Sequence, residues 1–99
     1  MKTADFHVLL ALAQAPQHGY AIMKEVQRAS GGQVRLEIGS LYRLLARLLQ
    51  AGLIEESSAD ERRRYYRLTR LGLRELKDEA ARLANLVALV RERKLLENS

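Results

Sequence analysis

The stretch Ile38–Ile54, IGSLYRLLARLLQAGLI, decides the fold. Apolar residues recur in it at helical spacing and predict one buried stripe, namely Ile38, Leu41, Leu45 and Leu48, flanked by Leu44 and Leu49. The opposite side is polar and carries Ser40, Arg43, Arg47 and Gln50. Gly52 follows, and glycine is the usual residue just past a helix end. The stretch therefore predicts a helix from Ile38 or Ser40 to Ala51 with an arginine-bearing outer side.

Two further helices are predicted upstream. The first runs from about Ala4 to Gln14, and its apolar stripe is predicted to be Phe6, Leu9, Leu10 and Ala13. A turn over Gln17–Gly19 separates it from a second helix, Tyr20–Ala29, with Ile22, Met23, Val26 and Ala29 on its apolar face. Between the second and third helices, Val34–Ile38 alternates apolar and polar residues, but it is short and is interpreted as an extended connection.

A β-hairpin and a long helix are predicted downstream. Leu53–Glu56 begins the first strand, Ser57–Glu61 has the composition of a turn, and an arginine run precedes the second strand, Tyr65–Thr69. Thr69 is a good N-cap because its hydroxyl accepts from the freed N–H groups of a first helical turn. The last helix is predicted over about Arg70–Leu95.

The last helix carries a heptad-like apolar seam. Its residues are Leu73, Leu76, Ala80, Leu83, Val87 and Val90, at alternating steps of three and four. A small body cannot bury so long a seam, so we expect it to pack partly on the first helix, through Phe6, Leu9 and Leu10, and mainly on a second copy of the chain. The sequence therefore predicts a two-fold homodimer.

Composition restricts the classes of function. The chain has 99 residues, no cysteine and a formal net charge of +5, which predicts one basic domain without a disulfide framework or thiolate zinc site. No apolar run approaches the ~20 residues of a membrane span, and no signal peptide is evident, so we expect a soluble, cytoplasmic protein. The two histidines, His7 and His18, have no partners at metal-ligand or catalytic spacing. We therefore predict no metal, no cofactor and no enzymatic activity.

The order of elements predicts a winged helix-turn-helix. This fold class is mainly α with a small β-hairpin, and we assign residues 1–69 to the DNA-binding domain and 70–99 to a C-terminal dimerisation helix, together one unit. A major groove admits one α-helix, so the third helix is the candidate recognition element. The arginines at the hairpin tip are candidate phosphate contacts.

Four short motifs make the chain similar to the PadR family of transcriptional regulators. They are His18-Gly19-Tyr20, Gly39-Ser40-Leu41-Tyr42, Leu48–Ile54, and Arg64–Thr69 with Gly72. The resemblance covers about residues 6–90. The resemblance implies the short form of the family: a dimeric winged-helix repressor, many of whose relatives respond to small aromatic compounds, so a small aromatic effector is a candidate partner. Ser40 and Arg43 stand where the family often has threonine and proline.

The candidate DNA contacts follow from these elements and from the resemblance: Tyr20, Lys24, Ser40, Tyr42, Arg43, Arg47, Arg62, Arg63 and Arg64. Several residues of this region also have an explanation that does not involve DNA. The arginines of the third helix could form a solvated face, Tyr20 could belong to the core, and His18 is more often a cap than a ligand. The alternative function is a helical protein-interaction adaptor that does not bind DNA.

Overall fold

The computed structural model describes residues 1–60 and 62–97, with only the backbone given at 58–60. The helices are α1 (Thr3–Leu12), α2 (Gly19–Ala29), α3 (Ile38–Gln50) and α4 (Arg70–Glu92). The strands are β1 (Gln17–His18), β2 (Ile54–Asp60) and β3 (Arg63–Leu68), which form an antiparallel sheet in the order β1-β3-β2. Four helices with this small sheet confirm the winged helix-turn-helix prediction.

The sheet differs from the prediction in two ways. Gln17–His18, predicted as part of a turn, is a two-residue strand in which Gln17 pairs with Tyr66. The hairpin strands are longer than expected, since β2 continues to Asp60 and β3 begins at Arg63. Backbone pairing holds these polar segments without an apolar face, and for that reason the side-chain pattern missed them. The predicted tip residue Glu61 lies outside the described residues.

The core lies where α3 meets α1 and α2. Its α3 members are the predicted leucines, Leu41, Leu44, Leu45 and Leu48. The predicted inner residue Ile38 is instead 65% exposed, because it is the first residue of α3 and no preceding helical turn covers it. In α1 the stripe was predicted in the wrong phase: Leu10 and Ala13 are exposed, and the buried side is Asp5, Val8, Leu9, Ala11 and Leu12.

The end of α3 is joined to the start of α4 by a short set of backbone contacts. Gly52 has a φ of 76°, and the N–H of Leu53 donates to the carbonyl of Leu48 at 3.0 Å, which closes α3 with a Schellman motif. The Thr69 hydroxyl donates to the Gly52 carbonyl at 2.6 Å and accepts from the N–H of Gly72 at 3.0 Å. The predicted Thr69 N-cap is confirmed, and it also binds α4 to α3.

Helix α4 extends beyond the body that the other elements form. Leu76 is buried and α4 contacts α1, whereas most apolar residues of its second half are exposed or half-buried. The molecule is accordingly elongated, at 51 × 27 × 21 Å. Within residues 1–60 and 62–97, no helix has the length and apolar character needed to cross a membrane.

We expect Gly72→Ala to lower the free energy of unfolding by about 1–3 kcal/mol or more, because its Cβ would overlap the Leu53 carbonyl and force α4 away from α3. Gly39→Ala is the matched control. The nearest atom to a Cβ there is a flexible arginine nitrogen at 3.4 Å, and alanine favours the helix, so stability should hold or rise. Urea denaturation of both variants measures the difference. Equal stabilities would contradict a close packing of α4 on Leu53.

Candidate nucleic-acid interface

The outer side of α3 has the polar character that the sequence predicted. Arg43 and Gln50 are exposed and Ser40 is half-buried. The Arg43 guanidinium donates to the Ser40 hydroxyl at 3.3 Å, one turn away along the helix. Arg43 thus has a charged, exposed end and only one weak hydrogen bond in the described structure, which suits a contact with a ligand outside the protein.

Arg47 differs from Arg43 in its surroundings. Both terminal nitrogens of Arg47 donate to the two carboxylate oxygens of Asp5, each at 3.0 Å. Asp5 is only 8% exposed and is the buried charged residue of the core. The hydrogen bond to Asp5 raises the pKa of the Arg47 guanidinium. This bidentate pair links α3 to α1, a long-range contact that no local sequence pattern announced.

The first turns of α2 add two polar groups next to α3. Tyr20 is 62% exposed, so it is not a core residue, and the Lys24 ammonium lies 5.5 Å from the centroid of its ring. Tyr42, on α3, is 47% exposed. A Cβ on Gly19 would lie 2.8 Å from the Tyr42 hydroxyl, so the Tyr42 ring lies directly against the start of α2.

Tyr66 fixes the base of the hairpin against this region. Its side chain is buried, and β3 pairs it with Gln17 on one side and Glu56 on the other. Burial raises the pKa of the Tyr66 hydroxyl, and the nearby Tyr42 and Glu56 act in the same direction. The hairpin is therefore anchored beside α3 by a buried aromatic ring.

The arginine run, Arg62–Arg64, lies at the hairpin end next to the start of α2 and to Tyr42 of α3. Arg64 pairs with Glu56 at 3.6 Å, and an Arg63 nitrogen lies 3.1 Å from Nε2 of His18. The run, the start of α2 and α3 together border a cleft of about 350 Å³. Its lining residues are His18, Gly19, Tyr20, Tyr42, Arg62, Arg63 and Arg64. The structure thus brings five of the nine predicted DNA contacts into one cleft, while Lys24, Ser40, Arg43 and Arg47 do not line it.

The residues predicted for dimerisation fall into two groups. Leu9 and Leu76 are buried in the core of the protomer itself, and Phe6 is half-buried against that core. Leu10, Leu73, Ala80 and Val87 are exposed, and Leu83 and Val90 are half-buried. The residues of this set from Ala80 onward, with Leu86 beside them, form an apolar surface that the protomer does not cover. We call it the α4 seam.

Sequence reasoning did not predict that Ile38 is exposed. Ile38 is the first residue of α3, and Glu37 before it makes no side-chain cap hydrogen bond, so the sequence carried no capping signal for this start. In the described part of the chain, no cluster of three or more histidine, aspartate and glutamate side chains is arranged to hold a metal ion.

Comparisons with known proteins agree with this geometry. The family model of the "Transcriptional regulator PadR-like family" matches residues 8–78. A transcriptional regulator from Clostridium thermocellum superposes with a TM-score of 0.76 at 26% identity, covering 90% of this chain and 87% of that one. A PadR-like transcriptional regulator from Bacillus cereus gives a TM-score of 0.78 at 25% identity, covering 94% and 92%.

A curated relative is longer. An uncharacterised 37.1 kDa protein in transposon TN4556 of Streptomyces fradiae is 42% identical over 94 residues, which are 93% of this chain and 27% of the relative. The chain therefore spans about a quarter of that protein's length. The family match covers most of the fold, including α2, α3, the hairpin and the start of α4. The chain belongs to the PadR-like family of transcriptional regulators.

Proposed function

We propose that the protein is a sequence-specific transcriptional regulator that binds double-stranded DNA, acting as a homodimeric repressor in the cytoplasm. The observation that carries the proposal is the cleft in which α2, α3 and the hairpin arginines meet. A helix-turn-helix places its second helix in the major groove. With α3 in the groove, the hairpin arginines would lie beside the flanking phosphates, where cations displace condensed counterions.

Helix α3 supplies two kinds of base contact in this proposal. Arg43 is suited to the acceptors of guanine, because a guanidinium binds O6 and N7 in a bidentate manner. Ile38, exposed at the start of α3, is suited to the methyl group of thymine, which only an apolar side chain favours. Arg47 contributes in part by positioning α3, since its hydrogen bond to Asp5 fixes α3 on α1.

The homodimer is proposed from the α4 seam. Pairing two copies along this surface would remove the exposed apolar side chains from water. Two α3 helices related by a two-fold axis would meet successive major grooves about 34–36 Å apart, on an inverted repeat. Release by a small aromatic effector stays a prediction of the family resemblance.

The decisive experiment is selection of bound duplexes from a random pool, followed by titration at several salt concentrations. A regulator should enrich an inverted repeat, and its affinity should fall steeply with salt. An adaptor without DNA binding would enrich no sequence and would show no such dependence.

We expect Arg43→Ala to weaken binding to the selected duplex by ~1–3 kcal/mol, with no change in thermal stability, because Arg43 contacts the duplex and not the core. Arg47→Ala should lower both the affinity and the midpoint of thermal unfolding, since it leaves the buried Asp5 carboxylate without its partner. Gel-shift titration and circular dichroism measure the two effects. An Arg43 variant with unchanged affinity would remove that residue from the interface.

We expect Ile38→Ala to reduce the preference for thymine at one position of each half-site by ~1 kcal/mol, because the apolar side chain that packs on the methyl group is removed. Replacing that thymine by deoxyuridine removes the same methyl group, so it should weaken the wild type and leave the variant unaffected. Competition binding with the two duplexes tests the coupling. A variant that still distinguishes thymine from deoxyuridine would show that Ile38 makes no such contact.

We expect Val87→Glu to convert the dimer to a monomer and to abolish tight binding to the inverted repeat, because it puts an unpaired charge into the α4 seam. Ala81→Glu is the matched control: Ala81 is exposed on the same helix, but it lies about 120° from Val87 around the helix, away from the α4 seam. Sedimentation of both variants measures the effect. A monomeric wild type, or equal behaviour of the two variants, would contradict the seam as the interface.

A further inference from the structure

His18 makes two contacts that a single imidazole cannot satisfy together. The N–H of Ala21 donates to Nδ1 at 3.3 Å, which caps α2. On the other side of the ring, Nε2 lies 3.1 Å from a guanidinium nitrogen of Arg63. Both neighbours are donors, and a neutral imidazole has one acceptor nitrogen and one N–H. Whichever nitrogen carries the proton therefore points it at another donor.

An acceptor from outside the protein would satisfy both nitrogens of His18 while the cap of α2 is kept. With Nδ1 accepting from Ala21, the proton lies on Nε2, so Nε2–H and the Arg63 guanidinium become two donors side by side. Tyr42 lines the same cleft, and the His18 and Tyr65 rings pack at nearly right angles with their centroids 5.4 Å apart. An acceptor placed between the donors would satisfy both of them.

We propose that this cleft is the binding site of one DNA phosphate, held jointly by Nε2–H of His18 and the guanidinium of Arg63. The inference rests on the proposed function and adds to it a contact from β1, a two-residue strand to which no role was assigned. The Arg63 guanidinium supplies the positive charge, and the N–H of the neutral His18 ring donates a directional hydrogen bond to the phosphate. Since β1 pairs with β3, the sheet holds the two donors at a fixed separation, so the phosphate sets the position of the hairpin on the duplex.

Two substitutions of His18 separate the phosphate contact from the cap. Asparagine is a good N-cap and keeps the acceptor near the position of Nδ1, but it does not reach the cleft. Glutamine places an amide N–H near the position of Nε2. We expect His18→Asn to keep the unfolding midpoint of the wild type and to weaken DNA binding about tenfold. His18→Gln should retain most of the affinity.

The location of the phosphate is tested on the duplex selected above, with methylphosphonate replacing one phosphate at a time. For the wild type, one position in each half-site should weaken binding because the charged acceptor is removed there. His18→Asn should be less sensitive than the wild type at that position, because only Arg63 still contacts the phosphate, and it should keep the salt slope of the wild type, since a neutral ring displaces no counterion. Arg63→Gln should also be less sensitive there, and it should lower the slope by about 0.9 for each phosphate that the arginine neutralises.

The outcomes distinguish this inference from the function on which it rests. If the pool yields no preferred duplex, both fail. If a duplex is selected but the methylphosphonate profile of His18→Asn equals that of the wild type, the phosphate site is refuted and DNA binding stands. Free inorganic phosphate is the other ligand that offers this chemistry. Its binding to the cleft is measured against chloride at equal ionic strength. Saturation of the cleft by free phosphate, with no sensitive position in the duplex, would overturn the assignment to DNA.

Discussion

The rest of the structure depends on the junction of Thr69 with the end of α3. One hydroxyl donates to Gly52 and accepts from Gly72, so it connects the C-terminus of α3 to the N-terminus of α4. The N–H of Thr69 also donates to the Leu53 carbonyl at 3.1 Å, and Gly72 leaves room for that carbonyl. The two helices and the hairpin that begins and ends here are thereby held in one arrangement, because close-packed backbone does not deform continuously.

This junction gives the proposed dimer a direct mechanical connection to the proposed DNA surface. Helix α4 carries the seam at its far end and meets α3 at its near end, so the angle between two α4 helices would set the distance between two α3 helices. The Asp5–Arg47 pair acts at the other side of α3 by tying it to α1, which itself contacts α4. In the proposed dimer, a ligand that changed the crossing angle of the two α4 helices would therefore change the spacing of the two α3 helices.

Sequence patterns correctly predicted the features that depend only on residues close together in the chain. The helix of the α3 stretch, the cap at Thr69 and the overall order of elements followed from apolar spacing, glycine and a hydroxyl at a helix start. The buried side of α1 was predicted wrongly. Alanines and leucines occur on every side of that helix, so only the packing of neighbouring elements decides which side is buried. The pairing of Arg47 with Asp5, 42 residues apart, and the pairing of β1 with β3 are long-range contacts. No window of a single sequence contains both partners, so the cleft was predicted residue by residue but not as one site.

The separation of the two sides of α3 has a consequence for how such a regulator diversifies. The leucines of the inner side are buried in the core and stabilise the fold. Ile38, Gly39, Arg43 and Gln50 are exposed and make few contacts within the protein. Under the proposed function, substitutions at these positions would alter which DNA sequence is recognised while the protein stays folded, whereas Arg47 is constrained by its ion pair with Asp5. A gene duplication could thus yield a regulator of a different set of genes through changes at a few exposed codons, with an inherited scaffold and an unchanged pairing surface.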